Sequence, residues 1–133
     1  MNFFNTLSRS VQEFVPRDPR GKSAGLYCCG PTVHDFAHIG NFRTFVFADL
    51  VRRYLQFKGL SVRHIMNITD VEDKIIRRVR ETNTSLRDYT AQYEAAFFED
   101  FQALNCLLSS GSWVRLPPGA PLFAGRQNNG GLK

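Results

Sequence analysis

The sequence predicts an α/β fold with parallel strands. Residues 24–30, AGLYCCG, form a short, largely apolar run closed by Gly30 and Pro31, which is typical of a buried strand. A helical pattern over 41–58 and a second strand-like run over 60–69 follow within about 45 residues. That length suits a right-handed crossover connection between two parallel strands.

The helix predicted over 41–58 is amphipathic. Its apolar positions recur at three- and four-residue steps, with arginines between them, and Gly59 follows as a C-terminal cap. The residues that define the predicted apolar stripe are Phe47, Leu50, Val51, Tyr54 and Leu55.

Two more helices are predicted after the second strand. Thr69 or Asp70 can cap a helix that ends near Thr82. Ser85 begins a capping arrangement for another helix over about 86–105, which carries regularly spaced aromatic residues.

The two ends of the chain lie outside this regular pattern. Residues 1–23 are polar and contain Pro16, Pro19 and Gly21, so they predict a peripheral arm. Residues 109–133 hold 5 of the 10 glycines and 3 of the 6 prolines, without periodicity and without an acidic residue. They predict a disordered tail, distinct from a folded unit over 1–108.

Charge and cysteine content limit the classes of protein to which the chain can belong. Of the net charge of +5, three units come from Arg115, Arg126 and Lys133 in the tail, so overall basicity says little about a nucleic-acid surface in the folded part. The three cysteines are too few for a disulfide framework. Neither a signal peptide nor a membrane-spanning run is apparent, which predicts a cytoplasmic chain with reduced thiols and no membrane partner.

Residues 30–41 carry the chemistry that the sequence offers. They are predicted at the carboxyl end of the first strand, where doubly wound sheets bind their ligands. Gly40 would let a phosphate or a planar base approach the backbone, and the N–H groups of the following helix would attract anions. His34 and His38 could donate hydrogen bonds to a phosphate oxygen. On spacing alone, a satisfied loop histidine and a helix-starting glycine explain the same residues.

Cys29 could serve as a thiolate ligand of zinc. A structural zinc site needs four ligands, and the chain has no paired C-x-x-C or H-x-x-x-H motif to complete one. For Cys28 and Cys106, burial as small apolar side chains is the preferred interpretation.

Two segments, YCCGPTVHDFAHIGNFRTFVFADLVRRYL and RHIMNITDVEDKI, together resemble the N-terminal part of cysteinyl-tRNA synthetases, which are class I aminoacyl-tRNA synthetases. The resemblance extends from about residue 3 to residue 107. It implies the first half of a Rossmann-like class I synthetase catalytic domain, with ATP bound at HIGN: His38, Ile39, Gly40 and Asn41. Within that motif, His38 and Asn41 would stabilise adenylate formation.

The resemblance also implies the remaining site residues. Gly30, Thr32 and Thr69 would contact the amino acid, and Cys29 would be the first zinc ligand. The family reaction joins cysteine and ATP to give cysteinyl-adenylate and then transfers the cysteinyl group to tRNA(Cys). ATP, Mg²⁺ and Zn²⁺ are therefore the implied cofactors, and the family is usually monomeric. Zinc contact with the substrate thiolate would reject serine, a harder and less acidic ligand.

After Leu107 the family pattern continues with segments that this sequence lacks, among them the other zinc ligands and the lysine-rich KMSKS loop. The sequence therefore suggests a truncated or frameshifted synthetase chain that is inactive by itself. Two alternatives are open: an ATP-dependent ligase that joins cysteine to an amino sugar, and a non-catalytic nucleotide- or RNA-binding module. Lys74, at the end of DVEDK, favours the synthetase over the amino-sugar ligase.

Overall fold

A computed structural model describes residues 1–106 and 113–115 of the chain. Its elements in chain order are β1 (Asn2–Asn5), β2 (Ser10–Glu13), β3 (Ser23–Cys28), α1 (Ile39–Phe57), β4 (Ser61–Ile68), α2 (Asp73–Thr82), α3 (Leu86–Ala103) and β5 (Trp113–Arg115). Strands β3, β4 and β5 form a parallel sheet in that order, with α1 as the crossover between β3 and β4. The predicted parallel α/β fold is confirmed.

The core lies between the sheet and the helices α1 and α3. Rings from both helices surround Met66 of β4, and Phe97 stacks on Phe42 at a centroid distance of 5.5 Å. Cys106 is buried in this cluster, as predicted, whereas Cys28 packs against it and is only partly buried. A smaller cluster of Ala24, Leu55 and Val62 continues the core along β3 and β4.

The apolar stripe predicted for α1 is only partly correct. Leu55 is buried, but Phe47 and Leu50 are more than 60% exposed. The buried face instead comprises Phe42, Phe45, Ala48, Asp49, Arg52 and Leu55. Because apolar residues surround much of the helix, periodicity alone could not choose the face; packing against β4 and α3 selects it.

The Asp49 carboxylate forms two ion pairs on this helix, a buried one with Arg52 and a partly exposed one with Arg53. It accepts hydrogen bonds from Arg52 Nη2 at 2.6 Å and from Arg53 Nε at 2.6 Å. Arg52 also donates to Gln56 Oε1. Asp49 and Arg52 can therefore lie on the buried, sheet-facing side of α1, where apolar residues are usual, because their opposite charges neutralise each other.

The helix after β4 begins later than predicted. Glu72, and not Thr69 or Asp70, is the N-cap residue of α2. Thr69 is unavailable as a cap because its backbone extends the sheet, with its N–H bonded to Pro31 O and its carbonyl to Val33 N. For α3 the predicted cap is confirmed, since the hydroxyl of Ser85 accepts a hydrogen bond from the N–H of Asp88.

The predicted peripheral arm contains an antiparallel hairpin of β1 and β2. Phe3 contacts Phe14 edge-on, and Arg9 adopts a left-handed backbone conformation in the turn. The strand residues are mostly exposed, so no apolar alternation revealed them in the sequence.

Within the predicted disordered tail, residues 113–115 form β5, so that prediction is wrong at these three positions. Their backbone pairs with the open edge of β4, which offers unpaired N–H and C=O groups. The rest of 109–133 lies outside the described residues. In the described part of the chain, no helix is both long and apolar enough to cross a membrane.

Candidate active site at the ends of β3 and β4

The carboxyl ends of β3 and β4 lie side by side, and the loop that joins β3 to α1 surrounds a cleft of about 480 Å³. The predicted site residues that line it are Cys29, Gly30, Thr32, His38, Gly40 and Asn41. Thr69 and Ile39 are not part of the lining. Thr69 is nevertheless adjacent, because it forms a parallel β-bridge with Thr32.

His38 and Asn41 cap α1 reciprocally. The Nδ1 atom of His38 accepts a hydrogen bond from Gly40 N–H at 3.0 Å, and Asn41 Oδ1 accepts one from His38 N–H at 3.0 Å. In a neutral imidazole whose Nδ1 is an acceptor, the proton is on Nε2. The cap therefore leaves the donor ends of both side chains, His38 Nε2–H and the Asn41 amide N–H groups, available at the cleft.

The free backbone donors at this helix end are fewer than the sequence predicts. The helix begins at Ile39 rather than at Asn41, and the side-chain caps occupy the N–H groups of His38 and Gly40. Among the residues that the structure describes, no hydrogen bond holds the N–H of Ile39. An anion here would meet the Ile39 N–H, the two side-chain donors and the positive end of the helix dipole.

Gly40 has a role within the chain that the sequence did not indicate. A Cβ at this position would lie 2.8 Å from Cε1 of His38 and 3.0 Å from its Nδ1. The missing side chain therefore makes room for the capping imidazole.

Gly30 is held against β4 even more closely. A Cβ there would lie 1.8 Å from the backbone oxygen of Asn67 and 2.9 Å from Cγ of Met66. Its N–H donates to Asn67 Oδ1 at 3.2 Å. Gly30 thus permits the chain leaving β3 to pass directly over β4.

Asn67 is a buried polar residue that sequence reasoning missed. Besides Gly30 N–H, its Oδ1 accepts the hydroxyl of Tyr27 at 2.9 Å, and its Nδ2 donates to Thr69 Oγ1 at 3.1 Å. Burial, followed by the neighbouring thiols of Cys29 and Cys28, raises the pKa of Tyr27, so the phenol remains a donor at neutral pH.

An aromatic wall on the other side of the cleft was also missed. Phe36 contacts Tyr93 edge-on at 5.1 Å, and Tyr89 lies 5.1 Å from Tyr93. The hydroxyl of Tyr89 donates to the backbone oxygen of His34 at 2.8 Å. Burial, and then the hydrogen bond with Tyr93, raise the pKa of Tyr89 to about 12. Tyr89 therefore keeps its proton at neutral pH and continues to donate to the backbone oxygen of His34. Helix α3 thereby fixes the loop before His38.

His34 is oriented by its own loop. Its Nδ1 lies 3.1 Å from the backbone oxygen of Thr32, which can only accept, so Nδ1 carries a proton. Nε2 of the neutral ring is then an acceptor. Unlike His38, His34 is not set up in this state to donate to a phosphate.

Cys29 is the one metal ligand that the sequence predicted. Cys29 is exposed at the end of β3, where a thiolate could reach an ion in the cleft. In the described ranges, His, Cys, Asp and Glu side chains form no group of three or more that could hold a metal ion. The described residues therefore do not by themselves fit a four-ligand zinc site.

Comparison with known proteins places this site in a family. Residues 16–113 match tRNA synthetases class I (C) catalytic domain. The chain is 52% identical over 104 residues to a cysteine–tRNA ligase of Solibacter usitatus (strain Ellin6076), covering 78% of this chain and 22% of that protein. Over 104 residues it is 56% identical to the Chlamydia caviae (strain ATCC VR-813 / DSM 19441 / 03DC25 / GPIC) enzyme of the same name, covering 78% and 21%.

A third relative, the cysteine–tRNA ligase of Brachyspira hyodysenteriae (strain ATCC 49526 / WA1), is 48% identical over 102 residues, covering 77% of this chain and 21% of the relative. The chain thus spans about a fifth of the length of these curated relatives. The matched region contains β3, α1, β4 and the whole cleft between them. The chain belongs to the family of class I (C) tRNA synthetase catalytic domains.

Proposed function

We propose that this chain carries the ATP- and cysteine-binding half of the site at which a cysteine–tRNA ligase activates its amino acid. ATP phosphates bind at His38, Ile39, Gly40 and Asn41. Cysteine binds beside Gly30, Thr32 and Thr69. The observation that carries the proposal is the reciprocal cap, because it orients two neutral side-chain donors at the positive end of α1.

In this reaction, a carboxylate oxygen of cysteine attacks the α-phosphorus of ATP, and the bond to pyrophosphate breaks. Negative charge on the phosphate oxygens is stabilised by His38 Nε2–H and the Asn41 amide, which are already oriented before the reaction begins. The gain is in positioning and electrostatics, so no covalent protein nucleophile is required. In the complete protein, the cysteinyl group then passes from the adenylate to the terminal adenosine of tRNA(Cys).

The proposal also covers the metal ions, the oligomeric state and the cellular compartment. Cys29 serves as the first ligand of a zinc ion whose other ligands lie outside the described residues. Zinc, when bound, would supply a soft contact for the substrate thiolate. Mg²⁺ accompanies the ATP phosphates. Residues 1–108 act as one unit of a monomeric, cytoplasmic ligase. The names of the relatives favour this reading over the amino-sugar ligase.

Asn41→Asp tests the phosphate site with little change in shape. The carboxylate retains an oxygen for the N–H of His38, so the cap and the fold should remain. The two amide N–H donors are lost and a negative charge faces the phosphates. We expect ATP affinity, measured by calorimetry with Mg²⁺ present, to fall at least tenfold, while affinity for adenosine, which has no phosphates, stays within twofold.

Asn2→Asp in the exposed hairpin adds the same charge away from the cleft and is the matched control. Equal ATP affinities of Asn41→Asp and the control would contradict phosphate binding at this helix end. ATP–pyrophosphate exchange with cysteine, with serine as the comparison amino acid and zinc present, then separates chemistry from binding. Binding of both ATP and cysteine without exchange would mean that the chain is a binding half-site that does not catalyse activation by itself, whereas binding of ATP without binding of cysteine would favour the nucleotide-binding module.

A further inference from the structure

Asn67 joins the end of β3 and the loop after it, which lie about 40 residues earlier in the sequence, to Thr69 just beyond β4. It lies at the end of β4 and is only 6% exposed. Its side-chain oxygen accepts from Tyr27 at the end of β3 and from the N–H of Gly30 in the loop beyond. Its amide nitrogen donates to the hydroxyl oxygen of Thr69. One side chain therefore links both strands and the loop.

The donors around Asn67 determine which way its amide points. The N–H of Gly30 can only donate, so it requires the oxygen of the amide and excludes the flipped orientation. The nitrogen then must face Thr69. As an acceptor of this hydrogen bond, Thr69 Oγ1 retains its own proton and one lone pair for a ligand. The state of Thr69 is thus set by Asn67.

We propose that Asn67 is a positioning residue for the amino-acid substrate, acting through the N–H of Gly30 and the hydroxyl of Thr69. The inference rests on the proposed function, in which these two residues contact cysteine. Asn67 does not line the cleft itself, and its contacts lie on the Thr32–Thr69 side of the site. Its loss should therefore weaken cysteine binding and spare the phosphate site at His38 and Asn41.

Asn67→Asp is the sharpest variant. A carboxylate still accepts from Tyr27 and Gly30, but it cannot donate to Thr69 and instead attracts the Thr69 proton. With isotope-labelled protein titrated by L-cysteine and, separately, by ATP, we expect the amide resonances of Gly30, Thr32 and Thr69 to respond to cysteine. The variant should bind cysteine at least tenfold more weakly than wild type and ATP within twofold of wild type, and Asn2→Asp should match wild type for both ligands.

A double-mutant cycle with Thr69→Val tests whether Asn67 acts through the hydroxyl. The two substitutions together should weaken cysteine binding little more than either does alone, because both remove the same oriented group. Fully additive losses, or a single Asn67→Asp variant that binds cysteine like wild type, would overturn the positioning role. Equal weakening of ATP and cysteine would also overturn it, because it would indicate a general structural effect.

These outcomes are distinct from failure of the proposed function. A wild-type chain that binds neither cysteine nor ATP would refute the function and, with it, this inference. If Asn67→Asp does not fold, as circular dichroism would show, the same titrations of Tyr27→Phe decide the matter. This variant removes one of the two donors that hold the Asn67 oxygen, and the proposal requires it to weaken cysteine binding and to leave ATP binding within twofold of wild type. A Tyr27→Phe chain that binds cysteine like wild type would overturn the positioning role.

Discussion

The imidazole of His38 occupies the space that a side chain at position 40 would need. The presence of glycine at position 40 of the HIGN motif therefore has a steric explanation that does not involve a ligand. The ring is held at Nδ1 by the Gly40 N–H, so the residue that makes room for the ring also bonds to it. Backbone and side chain therefore act as one unit at the start of α1.

Gly40→Ala should consequently separate stability from binding. Alanine is the better helix former, by up to about 1 kcal/mol, which offsets part of the steric cost. We expect the free energy of unfolding in urea to change by less than about 1 kcal/mol. ATP affinity should fall about tenfold, because displacing the ring moves its Nε2–H donor.

The control for this substitution is Gly25→Ala in β3, where a Cβ would meet nothing within 4 Å. It should leave ATP affinity unchanged. Equal ATP affinities of Gly40→Ala and wild type would show that the position of the imidazole does not matter for binding.

At the residue scale, the sequence predicted groups that share a short motif and missed groups that meet through the fold. His38, Gly40 and Asn41 are close in sequence, so a short motif together with the family resemblance indicated them. Asn67 and Tyr27 meet only because β3 and β4 pair in register, with Tyr27 opposite Ile65 and Cys28 opposite Met66. A local pattern contains no information about that pairing.

Helix α1 combines the proposed phosphate-binding N-terminus with a charged, buried middle. Asp49 and Arg52 are each less than 10% exposed, yet they face the sheet. Sequence patterns place charged residues on the surface by default, so the predicted stripe on this helix favoured Phe47 and Leu50. The helix bounds were predicted well because Gly59 and the apolar spacing are local signals; the buried face was not, because it depends on α3 and β4.

Removing the Asp49 charge should destabilise the fold. Asp49→Asn leaves the guanidinium of Arg52 buried without its carboxylate, and breaking a buried pair in this way costs about 3 kcal/mol or more. We expect a loss of this order in the free energy of unfolding, measured by urea denaturation and far-ultraviolet circular dichroism.

The matched comparison is Glu81→Gln on α2. Its partner Arg78 lies 3.5 Å away, and both side chains are more than half exposed. An exposed pair of this kind contributes less than about 1 kcal/mol. If the two substitutions cost the same, burial of the Asp49 pair would not explain its contribution.

At the scale of the whole molecule, helices α1 and α3 pack on one face of the sheet. Val62, His64, Met66 and Ile68 of β4 are buried there, whereas Tyr27 and Arg63 line a shallow cleft with Phe14 and Val15 on the other side. The parallel order and the crossover helix were predictable from strand and helix lengths. The hairpin and β5 were not, because exposed or very short strands give no periodic signal.

His64 is the exception within the buried face. It is fully buried, and neither ring nitrogen has a hydrogen-bond partner in the described part of the chain. Burial lowers its pKa, the Arg52 cation lowers it further, and Asp49 partly opposes the shift. The folded chain therefore holds His64 neutral, and protonation is easier in the unfolded chain.

The stability of the whole fold should therefore fall in mild acid. An unfolded histidine has a pKa of about 6.5, so below that pH the unfolded chain takes up a proton that the folded chain resists. The contribution of His64 to the free energy of unfolding is constant above pH 6.5 and is lost as the pH falls, with a slope of up to about 1.4 kcal/mol per pH unit until the lower folded pKa is reached.

His64→Leu removes this linkage and the unpaired ring nitrogens. We expect it to raise the free energy of unfolding by about 1 kcal/mol at pH 7.5 and to reduce the loss between pH 7.5 and 5.5 by about 1 kcal/mol. Urea denaturation of both proteins at the two pH values measures this difference, in which the titration of all other groups cancels. Parallel losses in wild type and variant would mean that His64 is not held neutral by the fold.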